Sequence, residues 1–201
     1  MNRAAYAIVL AFSVAGCSPS ATETTTTPVS NIVTTSSNKI TGRWTANVDG
    51  ARFSATIKSS TPQCSLYDFP LNAGAGFEAS AKATLPAVFQ SIEVSGGNSA
   101  VGRNSVSILG ESLDSQLRGT ARLFDNSFTA EVNLTAAVVV EGAKGRLFAR
   151  SFSGRGLGSS TSGGCDGGGH ALRSAAEQAQ RDLLRKIVED LSNSDRIRRG
   201  A

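Results

Sequence analysis

The alternation of apolar and polar positions predicts two paired strands between residues 40 and 58. Apolar side chains recur at every second position on both sides of Asp49-Gly50, a dipeptide typical of two-residue hairpin turns. Pairing outward from this turn places Trp44 opposite Ala55 on an apolar face, with polar side chains on the other. The pattern therefore predicts a β-hairpin whose apolar face needs a covering layer.

Two segments have the three- and four-residue spacing of apolar positions that is typical of amphipathic helices. The first covers 75–91, where Pro86 is expected to kink or end the helix, and a short strand at 91–95 follows it. The second covers 170–192, and its apolar stripe consists of Leu172, Ala176, Ala179, Leu183, Ile187 and Leu191.

Four further runs have the alternation or composition of strands, and the longest is apolar at every even position from 128 to 140. The predicted strands are 105–110, 117–124, 128–141 and 146–154. Residues 59–73 and the Gly/Ser-rich segment 154–169 are predicted to be loops. The expected fold class is α+β: a two-layer domain over 40–195, with a mostly antiparallel sheet of about five to seven strands and two helices on one face. Residues 196–201 are expected to be a frayed tail.

The first sixteen residues have the features of an export signal. Arg3 precedes an apolar run over 4–14, which is too short for a permanent membrane span of about 20 residues. Small residues then lead to Cys17, and the sequence Val-Ala-Gly-Cys ending there resembles the lipobox of bacterial lipoproteins. The resemblance implies cleavage before Cys17 and a diacylglyceryl thioether on its sulfur. Ser18, in place of an aspartate, implies an outer-membrane rather than an inner-membrane address.

Residues 17–39 are predicted to be a lipidated, flexible tether. Twelve of the 22 residues in 18–39 are serine or threonine, and such a composition buries too little apolar surface to offset its ordering entropy. A flexible coil of this length spans roughly 25 Å.

The chain contains three cysteines, and assigning Cys17 to a lipid leaves Cys64 and Cys165. Because an exported protein meets an oxidising compartment, we expect a disulfide between these two, the alternative being two unpaired buried thiols. A zinc site of Cys64, Cys165, Asp166 and His170 is a further alternative, but the spacing matches no common zinc pattern. No cofactor is expected.

Catalytic chemistry has little support in the sequence. His170 is the only histidine; it begins a predicted helix, and the chain contains no G-x-S-x-G motif. The available carboxylate pairs, without a distinctive setting, are Glu111 with Asp114 and Asp166 with Asp182. The formal net charge of +4 is too small and too scattered to indicate nucleic-acid binding. Arg196, Arg198 and Arg199 near the C-terminus could contact anionic headgroups, or could simply be a solvated end.

The order of elements is similar to that of several small outer-membrane lipoproteins. A helix ending in a short strand (76–95), a long hairpin (130–154) and a final helix (175–191) resemble the LPS-assembly lipoprotein LptE, the YajG-type lipoproteins and the CsgG-like domains. The resemblance is one of layout, so it transfers no functional residue.

The expected function is that of a non-enzymatic accessory or assembly component of the cell envelope. The protein would be anchored in the outer membrane by the lipid on Cys17, face the periplasm, and contact an envelope protein or further copies of itself. The alternative is a periplasmic binding module for a lipid, glycan or peptide.

Overall fold

Strands predominate in the structure, a computed structural model that describes residues 23–29, 32, 38–95, 104–121 and 125–200. Within these ranges the strands are β1 (Thr24–Thr25), β2 (Ile40–Asp49), β3 (Ser54–Lys58), β4 (Asp68–Asn72), β5 (Phe89–Ser95), β6 (Ser105–Ala121), β7 (Asn126–Gly142) and β8 (Gly145–Ser162). The helices are α1 (Gly74–Val88), α2 (Gly167–Asn193) and α3 (Asp195–Gly200), and a short 3-10 helix, Pro62–Cys64, lies between β3 and β4. The predicted α+β class is confirmed.

The strands form two mixed sheets. The larger has the order β5-β2-β6-β7-β8, in which β2 is parallel to both of its neighbours, and β6, β7 and β8 are antiparallel. The smaller has the order β1-β4-β3, in which β1 is parallel and β3 antiparallel to β4. The β6-β7-β8 ladder is the longest and supports most of the helical layer.

The helices cover one face of the larger sheet. The even-numbered side chains of β7 from Phe128 to Val140 are buried on this face, whereas its odd-numbered side chains are half-buried or exposed. The predicted stripe of α2 is buried at all six positions, and α1 buries Phe77, Ala81, Leu85 and Val88 as its spacing predicts. Periodicity therefore identified the buried faces correctly.

The predicted hairpin over 40–58 is wrong, although the buried faces of both segments are as expected. Both edges of β2 are occupied by the parallel strands β5 and β6, and β3 pairs with β4 in the other sheet. Asp49 Oδ1 accepts a hydrogen bond from the Ala51 amide (2.8 Å), and the Phe53 amide donates to the Gly50 carbonyl (2.8 Å). This turn directs the Phe53 ring into the core, 4.9 Å from Phe77, instead of returning the chain along β2.

Two other predicted boundaries in the larger sheet are corrected. The run 105–110 and the described part of the run 117–124, which ends at Ala121, lie on one strand, β6. A register irregularity between Gly110 and Ser112 reverses the side-chain alternation of this strand. Residues 122–124 lie outside the described residues. Strand β8 continues to Ser162, through half of the segment predicted as a glycine-rich loop.

The ends of the helices also differ from expectation. Pro86 lies in the last turn of α1, where it removes only one intrahelical bond, and the helix ends two residues later. The C-terminal residues through Gly200 form α3 instead of a frayed tail. Ile197 is fully buried there, and the Arg198 guanidinium donates to the carbonyl oxygens of Ser192 (2.6 Å) and Asn38 (3.0 Å).

Part of the segment predicted as a flexible tether is packed against the domain. Residues 23–29, the N-terminal arm, contain β1 and bury the side chains of Thr24, Thr26 and Val29. The helices in the described ranges all lack the combination of length and apolar character that a membrane span requires.

Candidate functional surfaces

The structure joins two of the three cysteines. Cys64 and Cys165 form a disulfide with an S–S distance of 1.99 Å and a Cα–Cα distance of 5.8 Å, the pairing expected from the sequence. The bridge attaches the short 3-10 helix to the turn before α2. Cys17, the predicted lipidation site, lies outside the described residues.

The other candidate residues do not assemble into a reaction centre. His170 is exposed on the first turn of α2, and the two cysteine sulfurs of the zinc alternative are bonded to each other. Asp166 and Asp182 are sixteen positions apart along α2, about 24 Å of helix. Glu111 and Asp114 are both exposed on β6. In the described ranges no three His, Cys, Asp or Glu side chains are close enough to hold a metal ion.

Backbone-to-backbone packing joins α2 to the edge strand β8. A Cβ added at Gly154, Gly156 or Gly158 would overlap the carbonyl oxygens of Ala179, Ala175 and Ala171, respectively. The spacings match, because four residues of helix rise about 6 Å and two residues of strand about 6.8 Å. This part of the helix–sheet interface therefore has no room for a ligand. The glycines at every second position, within a segment predicted to be a loop, are the sequence signal for this packing that the sequence analysis missed.

A second set of contacts closes the free edge of β8. Gln178, Asp182 and Lys186 are spaced four residues apart on α2 and reach successive backbone groups of the strand. Gln178 Oε1 accepts from the Leu157 amide (2.9 Å) and Asp182 Oδ2 from the Arg155 amide (3.2 Å), while Lys186 Nζ donates to the Ser153 carbonyl (2.8 Å). These α2 side chains form hydrogen bonds with backbone N–H and C=O groups of β8 that would otherwise be available for pairing with an additional strand.

Asp182 is the electrostatic centre of these contacts. Partial burial raises the pKa of its carboxyl, but hydrogen bonds from Lys186, Arg185 and the Arg155 amide together outweigh that effect and hold the pKa below its ordinary value. The charged form is therefore favoured in the folded state, and the stabilisation is present above the unfolded pKa and lost as the pH falls through the folded one.

Asp182→Asn is expected to lower the free energy of unfolding by about 1 kcal/mol at neutral pH and by much less near pH 3. The amide keeps an acceptor for the Arg155 amide but loses the charge that binds Lys186. Urea unfolding at both pH values measures the difference. Asp114→Asn, on an exposed side chain of β6, is the control. If Asp182→Asn lowered the free energy of unfolding equally at both pH values, the ionic explanation would be contradicted.

A polar groove lies beside the α2–β8 contact. It has a volume of about 350 Å³, and Arg150, Phe152, Lys186 and Asp190 are among its lining residues. The Arg150 guanidinium lies 2.8 Å from the Asp190 carboxylate and 5.3 Å from the centre of the Phe152 ring. The groove thus differs from the deep apolar pocket that a lipid-binding module would need.

The side of the larger sheet away from α2, called here the open face, presents a mixed surface. It carries the odd-numbered side chains of β7 and their cross-strand neighbours, including the exposed Leu109 and Leu157. Glu131 and Arg155 form an ion pair across it, with Arg155 Nε 2.7 Å from Glu131 Oε1. The hydrogen bond from Arg155 lowers the pKa of Glu131 despite the opposing effect of burial.

Comparisons with known proteins show a structural likeness but no family. No family model and no curated protein matches the sequence. Among solved structures, the chain is similar to protein XCC0632 from Xanthomonas campestris, of the DUF330 family, with 14% identity and a TM-score of 0.44 over 85% of this chain and 91% of that one.

Proposed function

We propose that this protein is a lipid-anchored accessory component of the bacterial cell envelope, attached to the outer membrane through Cys17 and facing the periplasm. It acts without catalysis, by contact with another envelope protein or with further copies of itself. The proposal depends mainly on one observation: two of the three cysteines are paired with each other. Cys64 and Cys165 are joined in the folded domain, so the remaining cysteine is the one that follows an export signal in a lipobox.

The open face supports the choice of an accessory role over a binding module. It exposes 39% of Leu109 and 59% of Leu157 among hydroxyl and charged side chains, a composition suited to a protein partner. In the contact between α2 and β8, by contrast, the helix and strand backbones leave no space for a ligand. A lipid, glycan or peptide ligand is therefore the less supported alternative.

Cys17→Ala is expected to abolish incorporation of labelled palmitate and to release the protein from the membrane fraction. The reason is that the thioether forms on the cysteine sulfur, and two or three acyl chains are needed for stable anchoring. Ser18→Asp is the matched control: it retains the cysteine and should still be labelled, but should move to the inner-membrane fraction on a density gradient. Labelling of Cys17→Ala would refute the lipobox interpretation.

The accessory role is tested by cross-linking the lipidated protein in intact cells and identifying what it binds. Leu157→Glu places a charge on the open face and should reduce the yield of a specific cross-linked partner at unchanged expression. Ala83→Glu, on an exposed side chain of α1 outside that face, is the control variant. Equal yields from both variants would exclude the open face as the contact surface.

A further inference from the structure

The N-terminal arm is bound by three elements of the domain. Thr24 and Thr25 pair in parallel with Leu71 and Asn72 of β4. The arm's next contacts are with the helices: the Thr27 amide and hydroxyl donate to Glu177 Oε1 (3.0 and 2.6 Å), the Val29 amide donates to Ser80 Oγ (2.8 Å), and Gln180 Nε2 donates to Thr26 Oγ1 (2.9 Å). The arm is therefore part of the folded domain.

Docking of the arm shortens the connection to Cys17. From Cys17 to Glu23 there are six peptide units, which reach about 20 Å at most when fully extended. A connection running freely to Ile40 would have 23 units and a maximum reach of about 80 Å. A lipid on Cys17 would therefore hold the Glu23 end of the domain close to the bilayer.

The pairing of β1 with β4 indicates which end of the domain is held close to the bilayer. Because β1 is parallel to β4 and pairs with its last two residues, the backbone at Glu23 is directed towards the start of β4, and the loop 59–67 lies immediately before that strand. Leu66, in this loop, is 75% exposed, more than any other large apolar side chain in the described part of the chain. Tyr67 beside it is half-buried, with its ring centre 6.4 Å from that of Phe69.

We infer that the loop 59–67 rests on the bilayer that holds the Cys17 lipid, with Leu66 among the lipid headgroups and upper acyl chains; this inference rests on the lipidation proposed above. One leucine binds a membrane too weakly to act alone. The short connection to an inserted lipid raises its effective concentration at the surface, so a weak contact suffices. Tyr67 adds a ring of the amphipathic type found at membrane interfaces. The disulfide at Cys64 fixes the loop to the start of α2 and so fixes the domain's orientation.

The test measures contact between position 66 and lipid in the acylated full chain. Leu66→Trp is reconstituted in vesicles of phosphatidylethanolamine and phosphatidylglycerol, with part of the lipid brominated in the upper acyl chain. The control is Leu109→Trp, which lies eight residues along β6 from Leu117, or about 25 Å from the strand's contact with Ser60. Trp44 is buried, with 2% exposure, and contributes the same background to both variants.

At least twofold stronger quenching of the tryptophan at position 66 than of the one at position 109 is the expected result. Thr26→Pro removes the amide that donates to the Asn72 carbonyl and the hydroxyl that accepts from Gln180 Nε2, so it should release β1, lengthen the connection and reduce the difference. Equal quenching of the two tryptophans overturns the inference. Intact mass measured beforehand separates the two proposals: an unacylated Cys17 contradicts the proposed function, whereas acylation without selective quenching contradicts only the membrane contact.

Discussion

Replacing Gly156 with valine is expected to unfold the domain or to leave it with a greatly reduced melting temperature. Gly156 lies on β8 beneath α2, where a Cβ would overlap the Ala175 carbonyl oxygen and lie 2.5 Å from the Ala179 amide nitrogen. Both atoms belong to the helix backbone, so no side-chain rotation can relieve the overlap. The helix would have to move away from the strand, separating the equivalent contacts at Gly154 and Gly158 as well.

The expected cost can be compared with the stability of an ordinary domain. Overpacking a well-filled core costs about 1–3 kcal/mol, and we expect about 3 kcal/mol for Gly156→Ala and more for Gly156→Val. Domains have unfolding free energies of about 5–15 kcal/mol, so the valine variant could lose most of its stability. Urea unfolding followed by circular dichroism measures both variants.

Gly163→Ala provides the control, because nothing lies within 4 Å of the position of its Cβ. A second-site change separates backbone overlap from side-chain crowding. Ala175→Gly removes a methyl group but leaves the carbonyl oxygen in place, so it should not restore the stability of Gly156→Ala. Rescue by Ala175→Gly, or equal melting temperatures for Gly156→Ala and Gly163→Ala, would contradict the packing explanation.

Periodicity in the sequence predicted which side chains are buried better than it predicted strand pairing. Trp44 and Ile57 lie on buried faces, as alternation indicated, yet their strands belong to different sheets. Alternation reports one buried face of a strand and contains no information about which strand occupies each edge. The pairing of β2 with β5 and β6 depends on contacts far apart in sequence, which a local turn signal cannot reveal.

The misjudged segments of β6 and β8 have a common physical cause. At Glu111 the alternation of β6 changes phase, so two halves of one strand look like separate elements. In β8 the inward positions are glycines, because a helix backbone occupies the space of their side chains. A hydrophobic pattern therefore misses a buried position when that position packs against the backbone of another element instead of against side chains.

Among the candidate functional residues, the disulfide could be predicted and the docked arm could not. Once Cys17 is assigned to a lipid and the domain is expected to be exported, the two remaining cysteines leave one pairing. The arm has the composition of a linker, since four consecutive threonines occupy 24–27. Its binding depends on polar acceptors and donors from distant helices, Glu177, Ser80 and Gln180, and not on an apolar pattern of its own.

Removing the disulfide is expected to reduce the free energy of unfolding by about 4–5 kcal/mol. The two cysteines are 101 positions apart, and the chain-entropy model assigns a loss of this size to a loop of about 100 residues. Cys64→Ala combined with Cys165→Ala is preferable to serine, because Cys64 is fully buried and a hydroxyl there would need a hydrogen-bond partner.

Reductant supplies the internal control for that measurement. Urea unfolding of the wild-type chain should shift to the midpoint of the double alanine variant when reductant is added, whereas the variant itself should not change. Intact mass should differ between the two wild-type samples by two hydrogen atoms. Since the bridge holds the short 3-10 helix against the start of α2, protease cleavage in 59–67 should also increase on reduction. An unchanged midpoint in reductant with a measured gain of two hydrogens would show that packing of the loop, and not the covalent link, maintains this end of the domain.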